Sequence, residues 1–486
     1  MSKLSSLAKD TAIYGLSSII GRFLNYLLVP LYTNYISAAS GGYGVITNIY
    51  GYTAIILVLL TFGMETTFFR FANKETENAR TAYSTTLFFV GGLSLLFFLL
   101  VLAFLNPIST AINYADHTEW VWVMALTVAI DATKCIPFDY LRYKNKALKF
   151  AALQMLNIVL SIGLNIIYFV AMGGNDVSYV FYINLVCTVV VTLTLYSEIA
   201  DAFRGNGKLI DTDMLRRMFS YSWPILVLGI AGILNQTASV IVFPMVYDGP
   251  DANTQLGIYG AAIKIAMIMA MITQAFRFAY EPFVFAGAKD KNSKEIYGKA
   301  MKYFLIFTLL AFLVVMGYID LLRYLIGEDY WEGLRVVPIV MVAEIMMGVY
   351  FNLSFWYKLI DKTIYGAWFS LAGCSVLFAV NIIFIPIYGY MACAWAGVAG
   401  YGTAMVLSYV VGQRQNPIDY PMQDIFYYVV LTAVSYLSMD YIHDNYNQWL
   451  SLGFNTLVIV FFVSIIIRKD FPLSSLPVIG KFFRKN

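Results

Sequence analysis

The sequence predicts an all-α integral membrane protein of about fourteen transmembrane helices, arranged as two parallel six-helix lobes with two further helices at the C-terminal end. Three observations carry this expectation. The 486 residues are 60% hydrophobic and only 13% charged, whereas soluble domains carry about 25% charged residues. The apolar stretches are continuous and helix-length, unlike the ten-residue alternating segments of a membrane barrel. Landmarks also recur when the chain is shifted by about 216 residues.

The expected spans run 11–35, 44–69, 82–105, 120–141, 150–172, 177–200, 218–247, 256–286, 301–324, 333–357, 365–387, 390–412, 425–442 and 449–467. An even number places both termini on one side. Basic residues decide which side. If the N-terminus is cytoplasmic, all but six of the 32 Lys and Arg fall in inner loops or at the termini. Arg323 and Arg335 are outside, and Arg22, Lys134, Lys264 and Arg277 are within spans. This is a strong positive-inside pattern and supports the alternation of spans.

The repeat pairs Tyr43-Gly44 with Tyr259-Gly260, Glu65 with Glu281, Arg142 with Lys358, and Asn165-Ile166-Ile167 with Asn381-Ile382-Ile383. Pro30 and Pro244 match at a shift of 214. Each match alone is weak, but all fall at equivalent positions of the span map. Six spans per repeat keeps the halves in the same orientation, so the repeats are parallel. The expected divisions are 1–216 for the first lobe, 217–432 for the second, and 433–486 for the rest of the two-helix appendage and a cytoplasmic tail. A cleft between two such lobes is where transporters place substrate.

The first span, T-A-I-Y-G-L-S-S-I-I-G-R-F-L-N-Y-L-L-V-P-L-Y-T-N-Y, has Arg22 near its middle, with Gly15, Gly21 and Pro30 interrupting its regularity. A cation at the bilayer centre costs roughly 2.5–3.5 kcal/mol on insertion scales, so it faces a cavity, a ligand or a partner. Arg277 and Glu281 are four apart, and Asp131 and Lys134 three apart, so each pair can neutralise locally. Arg22, Lys264, Glu65 and Glu344 have no helix-local partner of opposite charge within the span core. Arg22, Lys264 and Arg277 are the candidates for an anionic ligand, with the amides Asn25 and Asn235 beside them; Gln236, Asn48, Gln274 and Asn352 are further amides. These amides fit sugar hydroxyls, and equally serve as interhelical glue. Glu65, Glu281, Asp131, Lys134 and Glu344 are candidates for gating or for coupling to an ion.

Other classes find little support. No Walker A loop, HExxH or GxSxG occurs, so no residue is assigned a catalytic role. The four cysteines, Cys135, Cys187, Cys374 and Cys393, lie inside hydrophobic segments without a CxxC pair, and only two histidines occur, His117 and His443. These read as buried free thiols and loop histidines, not metal ligands. No cofactor is expected beyond a coupling ion, H+ or Na+, and no nucleic-acid partner. The N-terminus lacks a signal-peptide pattern, so the first helix is expected to be retained. Trp120, Trp122, Tyr179, Trp331 and Trp449 stand at span ends and suit an interfacial belt.

The segment from Tyr14 to Tyr35, the Tyr43-Gly44 pair and G-M-E-T-T-F-F-R-F from Gly63 to Phe71 resemble polysaccharide flippases of the Wzx type. These belong to the polysaccharide transporter family of the MOP superfamily, which also includes lipid II flippases and multidrug and toxin extrusion transporters. The resemblance covers almost the whole chain. It implies two six-helix lobes around a central cavity that alternates between inward- and outward-facing forms. The substrate implied is a polyprenyl-pyrophosphate-linked oligosaccharide, moved from the inner to the outer leaflet of a bacterial cytoplasmic (inner) membrane for O-antigen, capsule or exopolysaccharide assembly. The lipid bilayer and other polysaccharide-assembly membrane proteins are the implied partners. Lipid-linked sugar flippases carry basic residues on the first and eighth helices, which Arg22 and Arg277 match by span, with Lys264 in addition. The alternative within the superfamily, a cation-coupled multidrug antiporter, rests on Asp131, Glu344 and Glu65.

Overall fold

The computed structural model describes residues 26–74, 78–204, 209–286, 293–360 and 362–470. Every regular element among them is helical. The principal helices are α1 (Leu28–Tyr35), α2 (Gly42–Thr61), α3 (Met64–Ala72), α4 (Ala79–Ala103), α5 (Thr118–Tyr143), α6 (Ala147–Ile166), α7 (Ser178–Thr194) and α8 (Tyr196–Phe203). There follow α9 (Thr212–Val246), α10 (Ala252–Ala286), α11 (Ser293–Gly317), α12 (Val337–Leu353), α13 (Ile364–Tyr388), α14 (Tyr390–Gln415), α15 (Met422–Asn445) and α16 (Gln448–Lys469). Twelve stretches are long and apolar enough to cross a membrane, and α7 with α8 makes a thirteenth if taken as one bent span. The expected first span, 11–35, lies largely outside the described residues. The chain is a multi-pass integral membrane protein.

Several helix ends follow from local sequence. The Asn78 side chain accepts from the backbone N–H groups of Arg80 (2.9 Å) and Thr81 (3.3 Å) and starts α4. Asp211 does the same for Met214 at 2.9 Å before α9, and Asn447 for Leu450 at 2.9 Å before α16. These side chains satisfy N–H groups that have no partner within the helix. Pro30 lies within α1.

Two expected spans are not straight. The stretch 44–69 is broken at Phe62 and Gly63, which adopt φ of 53° and 66°. A left-handed residue ends a right-handed helix, and glycine tolerates that geometry where most side chains do not. The stretch 177–200 bends by 56° between α7 and α8. Beyond the bend α8 is amphipathic. It buries Glu198, whose carboxylate takes Lys149 at 2.6 Å and Lys146 at 3.5 Å.

Close contacts divide the helices into two compact units. The first comprises the described residues of Met1–Ala261 with Phe378–Cys393, the second those of Ala262–Leu377 with Ala394–Asn486. In the first, α5 packs on α2, α4 and α7, and α9 runs along α2. Its core gathers Met64, Phe68, Tyr83, Ile136, Tyr140 and Met218, with the Tyr83 and Tyr140 rings stacked at 3.9 Å. Asn48, fully buried, joins α2 to α9. In the second, α11 packs on α12, α15 and α16, and a separate aromatic cluster forms around Trp356, Tyr357 and Phe369. The Trp356 indole donates to the Ser408 carbonyl at 3.1 Å. Many large apolar side chains, among them Leu148, Leu193, Trp395 and Leu457, remain exposed. Such a surface suits hydrocarbon, where burying apolar groups gives helices no special drive to associate and small residues with polar bridges hold them together.

Candidate functional site

Helical periodicity brings Thr273, Phe276 and Arg277 to one face of α10, and Gly348, Phe351 and Asn352 to one face of α12. In the second unit these residues, with Phe355 and Lys358, line one cleft. The Arg277 guanidinium lies 4.9 Å from the centroid of the Phe351 ring, and the Lys358 ammonium lies 5.2 Å from that of Phe355. Each cation therefore rests on an aromatic face, which orients it and offsets part of its desolvation. The Asn352 amide donates to the Gly348 carbonyl at 3.0 Å. The Thr273 hydroxyl is buried without a hydrogen-bond partner among the described residues. Two cations and a hydroxyl lining one cleft form a donor-rich set suited to an anion, and the planar fork of arginine matches a phosphate edge. The cleft encloses about 10 Å³, close to the minimum for a single water, so a phosphate enters only as the side chains part.

The first unit presents a different chemistry. Lys134 and Asp131 form an ion pair on α5. The Thr188 hydroxyl of α7 donates to Asp131 Oδ1 at 2.8 Å and accepts from Lys134 Nζ at 3.2 Å. Asp131 opens onto a cavity of about 210 Å³ shared with Tyr50, Thr53 and Asn184. Lys134 lines another of about 210 Å³, together with Glu65, Cys135, Asp139, Arg142, Gln154 and Asn157. Asp139 is 5% exposed, and its Oδ1 accepts from Arg142 at 3.2 Å.

The remaining expected residues are dispersed. Lys264 is half-buried on α10 and Glu344 half-buried on α12; no ion pair is recorded for either among the described residues. Tyr401 of α14 lies within electrostatic range of Glu344. The Asn235 amide donates within its own helix to the Ala231 carbonyl at 3.0 Å. Arg22 and Asn25 lie outside the described residues, as does the side chain of Glu281. The four cysteines are free thiols. No group of three or more His, Cys, Asp or Glu suited to a metal occurs among the described residues.

Two residues do not stand out in the sequence. Lys358 reads there as one more inner-loop cation, and Asp139 is given no role. The one sequence signal for Lys358 is the repeat, which sets it opposite Arg142, a position that lines a cavity in each unit.

Residues 7–279 match the profile of a family described as "Polysaccharide biosynthesis protein". No curated protein matches the chain. Among solved structures, "Lipid II flippase MurJ, inward closed conformation" is similar at a TM-score of 0.71 and 14% identity, over 94% of this chain and 98% of that one. An inward-facing multidrug resistance MATE family transporter of the MOP superfamily is similar at 0.59 and 15% identity, over 83% and 94%. An outward-facing transporter of the same description reaches 0.55 and 14%, over 84% and 95%. At these identities the likeness is one of fold.

Proposed function

Since this chain belongs to the polysaccharide biosynthesis protein family and has the fold of MOP-superfamily transporters, we propose that it is a flippase for a polyprenyl-pyrophosphate-linked oligosaccharide. The direction is from the inner to the outer leaflet of the bacterial cytoplasmic membrane, by alternating access, with both termini cytoplasmic. The product feeds O-antigen, capsule or exopolysaccharide assembly alongside other membrane proteins of that process. The observation that carries this reading is that Arg277 and Lys358 line one cleft together with Thr273 and Asn352. Pyrophosphate presents several anionic oxygens and needs more than one cation, and the sugar needs polar groups in the same wet path. The polyprenyl tail stays in lipid throughout. Arg22, Lys264, Asn25 and Asn235 are further candidates for contact with the substrate.

The test is stabilisation of the purified protein in detergent by polyprenyl pyrophosphate, polyprenyl monophosphate or a panel of organic cations. A ligand that binds only the folded state raises the melting temperature by mass action. Selective stabilisation by the pyrophosphate lipid, lost in Arg277→Ala and in Lys358→Ala, supports the flippase. An equal response of both variants and the parent removes the cleft from substrate binding. A second reading, a cation-coupled multidrug antiporter, is favoured by one observation: Glu344 stands in mid-helix with no ion pair recorded among the described residues. Stabilisation by organic cations, lost in Glu344→Gln, would establish that reading instead.

A further inference from the structure

Helix α8 has eight residues, about 12 Å of helix, too short to cross a bilayer, and it turns away from α7 by 56°. Its two faces differ. Glu198 and Ala202 are buried, and the Tyr83 hydroxyl of α4 donates to the Glu198 backbone carbonyl at 2.9 Å. The opposite face carries Tyr196, Ala200 and Phe203, which follow the i, i+4, i+7 spacing of one helical side. Tyr196 is 74% exposed and Phe203 58%, while the Phe203 ring also meets Phe88 of α4 edge-on at 5.0 Å. The exposed stripe runs on into Leu193, Val189 and Val186 of α7. That is the flank of a span that meets hydrocarbon, so a lipid, and not a protein, is the occupant this face fits.

The charges around α8 are out of balance. Glu198 takes Lys149 at 2.6 Å and Lys146 at 3.5 Å. Asp201 takes Arg204 at 3.5 Å and Arg80 at 3.9 Å. Each carboxylate is thus shared by two cations and leaves one positive charge over. The side chains of Lys146 and Arg204 are 53% and 72% exposed, so the excess is presented outward, beside the apolar stripe. A helix with apolar side chains and cations on its outer side lies in the plane of a membrane surface, and an anionic leaflet strengthens its hold.

We propose that α8 is an interfacial helix of the inner leaflet and that its two excess charges bind the phosphates of anionic phospholipids, whose acyl chains cover Tyr196, Phe203 and the flank of α7. The basic loops assign this end of α7 to the side where positive charge collects. Arg80 and Tyr83 join α8 to α4, and Lys149 joins it to α6. Bound lipid therefore pins the ends of three helices of the first unit. The site takes bilayer lipid, shares no residue with the anion cleft of the second unit, and stands whatever substrate the chain moves.

The test uses the full chain in detergent without any lipid-linked sugar, so its outcome is independent of the pyrophosphate reading. Melting is followed on titration with phosphatidylglycerol, with phosphatidylcholine of the same chains, and with glycerol phosphate, which carries the anion without the chains. Phosphatidylglycerol is expected to raise the melting temperature further than phosphatidylcholine does, and glycerol phosphate to leave it unchanged. Lys146→Gln and Arg204→Gln should each raise the phosphatidylglycerol concentration that gives half the rise roughly 5-fold, and the double variant more. Lys299→Gln, which removes an exposed cation of α11, should titrate as the parent does. If the double variant melts lower than the parent before lipid is added, Tyr196→Ser, which leaves every ion pair in place, carries the test through a smaller rise. Equal rises with the two phospholipids, or α8 variants that titrate as the parent does, overturn the proposal. So does a rise with glycerol phosphate alone, which marks a site for a soluble anion.

Discussion

The Asn48 amide donates to the Val240 carbonyl at 2.9 Å while its Oδ1 accepts from the Tyr114 hydroxyl at 2.9 Å. One fully buried side chain thus bridges α2, α9 and the segment before α5. Interhelical hydrogen bonds in membranes average about 0.6 kcal/mol, but Asn48→Leu also strands the Tyr114 hydroxyl, at about 1–3 kcal/mol. The variant is expected to be destabilised by about 2 kcal/mol. The double variant Asn48→Leu/Tyr114→Phe should recover part of the loss, as read by thermal unfolding in detergent.

Arg277 and Lys358 should not be equivalent in the cleft. An arginine offers two parallel donors to a phosphate edge, and a lysine a point charge. Hydrogen bonds to charged groups are worth about 1.5–3 kcal/mol, so Arg277→Ala should weaken binding of a pyrophosphate lipid roughly 10- to 100-fold. Arg277→Lys should fall between the two. Direct binding of a labelled lipid to purified protein checks the order.

The second unit contains an ionic cluster whose members are unequal. Lys302 of α11 takes Asp424 of α15 at 2.5 Å and also pairs with Asp470, which in turn accepts from the Tyr428 hydroxyl. The Asp470 side chain is only 5% exposed. Removing one partner of a buried pair costs about 3–5 kcal/mol, because the other charge stays behind. Lys302→Met should therefore unfold at a clearly lower temperature. Lys299→Met, which removes an exposed pair with Glu295, should change stability by no more than about 0.5 kcal/mol.

Gly44 of α2 approaches the backbone carbonyl of Asn253 so closely that a Cβ there has no room. Backbone atoms cannot rotate away, so Gly44→Ala must push α2 from the start of α10, at about 1–3 kcal/mol. Gly92→Ala, with open space around it, should be neutral or stabilising by up to about 1 kcal/mol. Comparing the two melting curves separates close packing from helix propensity.

The sequence makes the helices legible because hydropathy and charge asymmetry are summed over many residues. It also marks the Tyr43-Gly44 and Tyr259-Gly260 pairs, and the structure gives the reason: Gly44 lies against Asn253 and Gly260 against Thr47, a reciprocal close approach of α2 and α10. The Asp131–Lys134 pair is readable from its spacing. The bends are not, since Phe62 bears no sign of a left-handed backbone and Leu195 none of a 56° turn. The repeat also overstates similarity. Asn381 donates across to the Ser239 hydroxyl at 3.0 Å, while its counterpart Asn165 donates within its own helix to Ser161. Asp139 escapes notice because burial sets its place in a cavity wall, and spacing does not reveal burial.

The cluster at Lys302 has a consequence for biosynthesis. Lys302 precedes Asp424 by 122 residues, and its other partner, Asp470, follows α16. During translation this cation emerges long before either carboxylate that neutralises it. The second unit therefore cannot complete this ionic cluster until α16 has left the ribosome, and a chain stopped before Asp470 lacks one of the two carboxylates that hold Lys302.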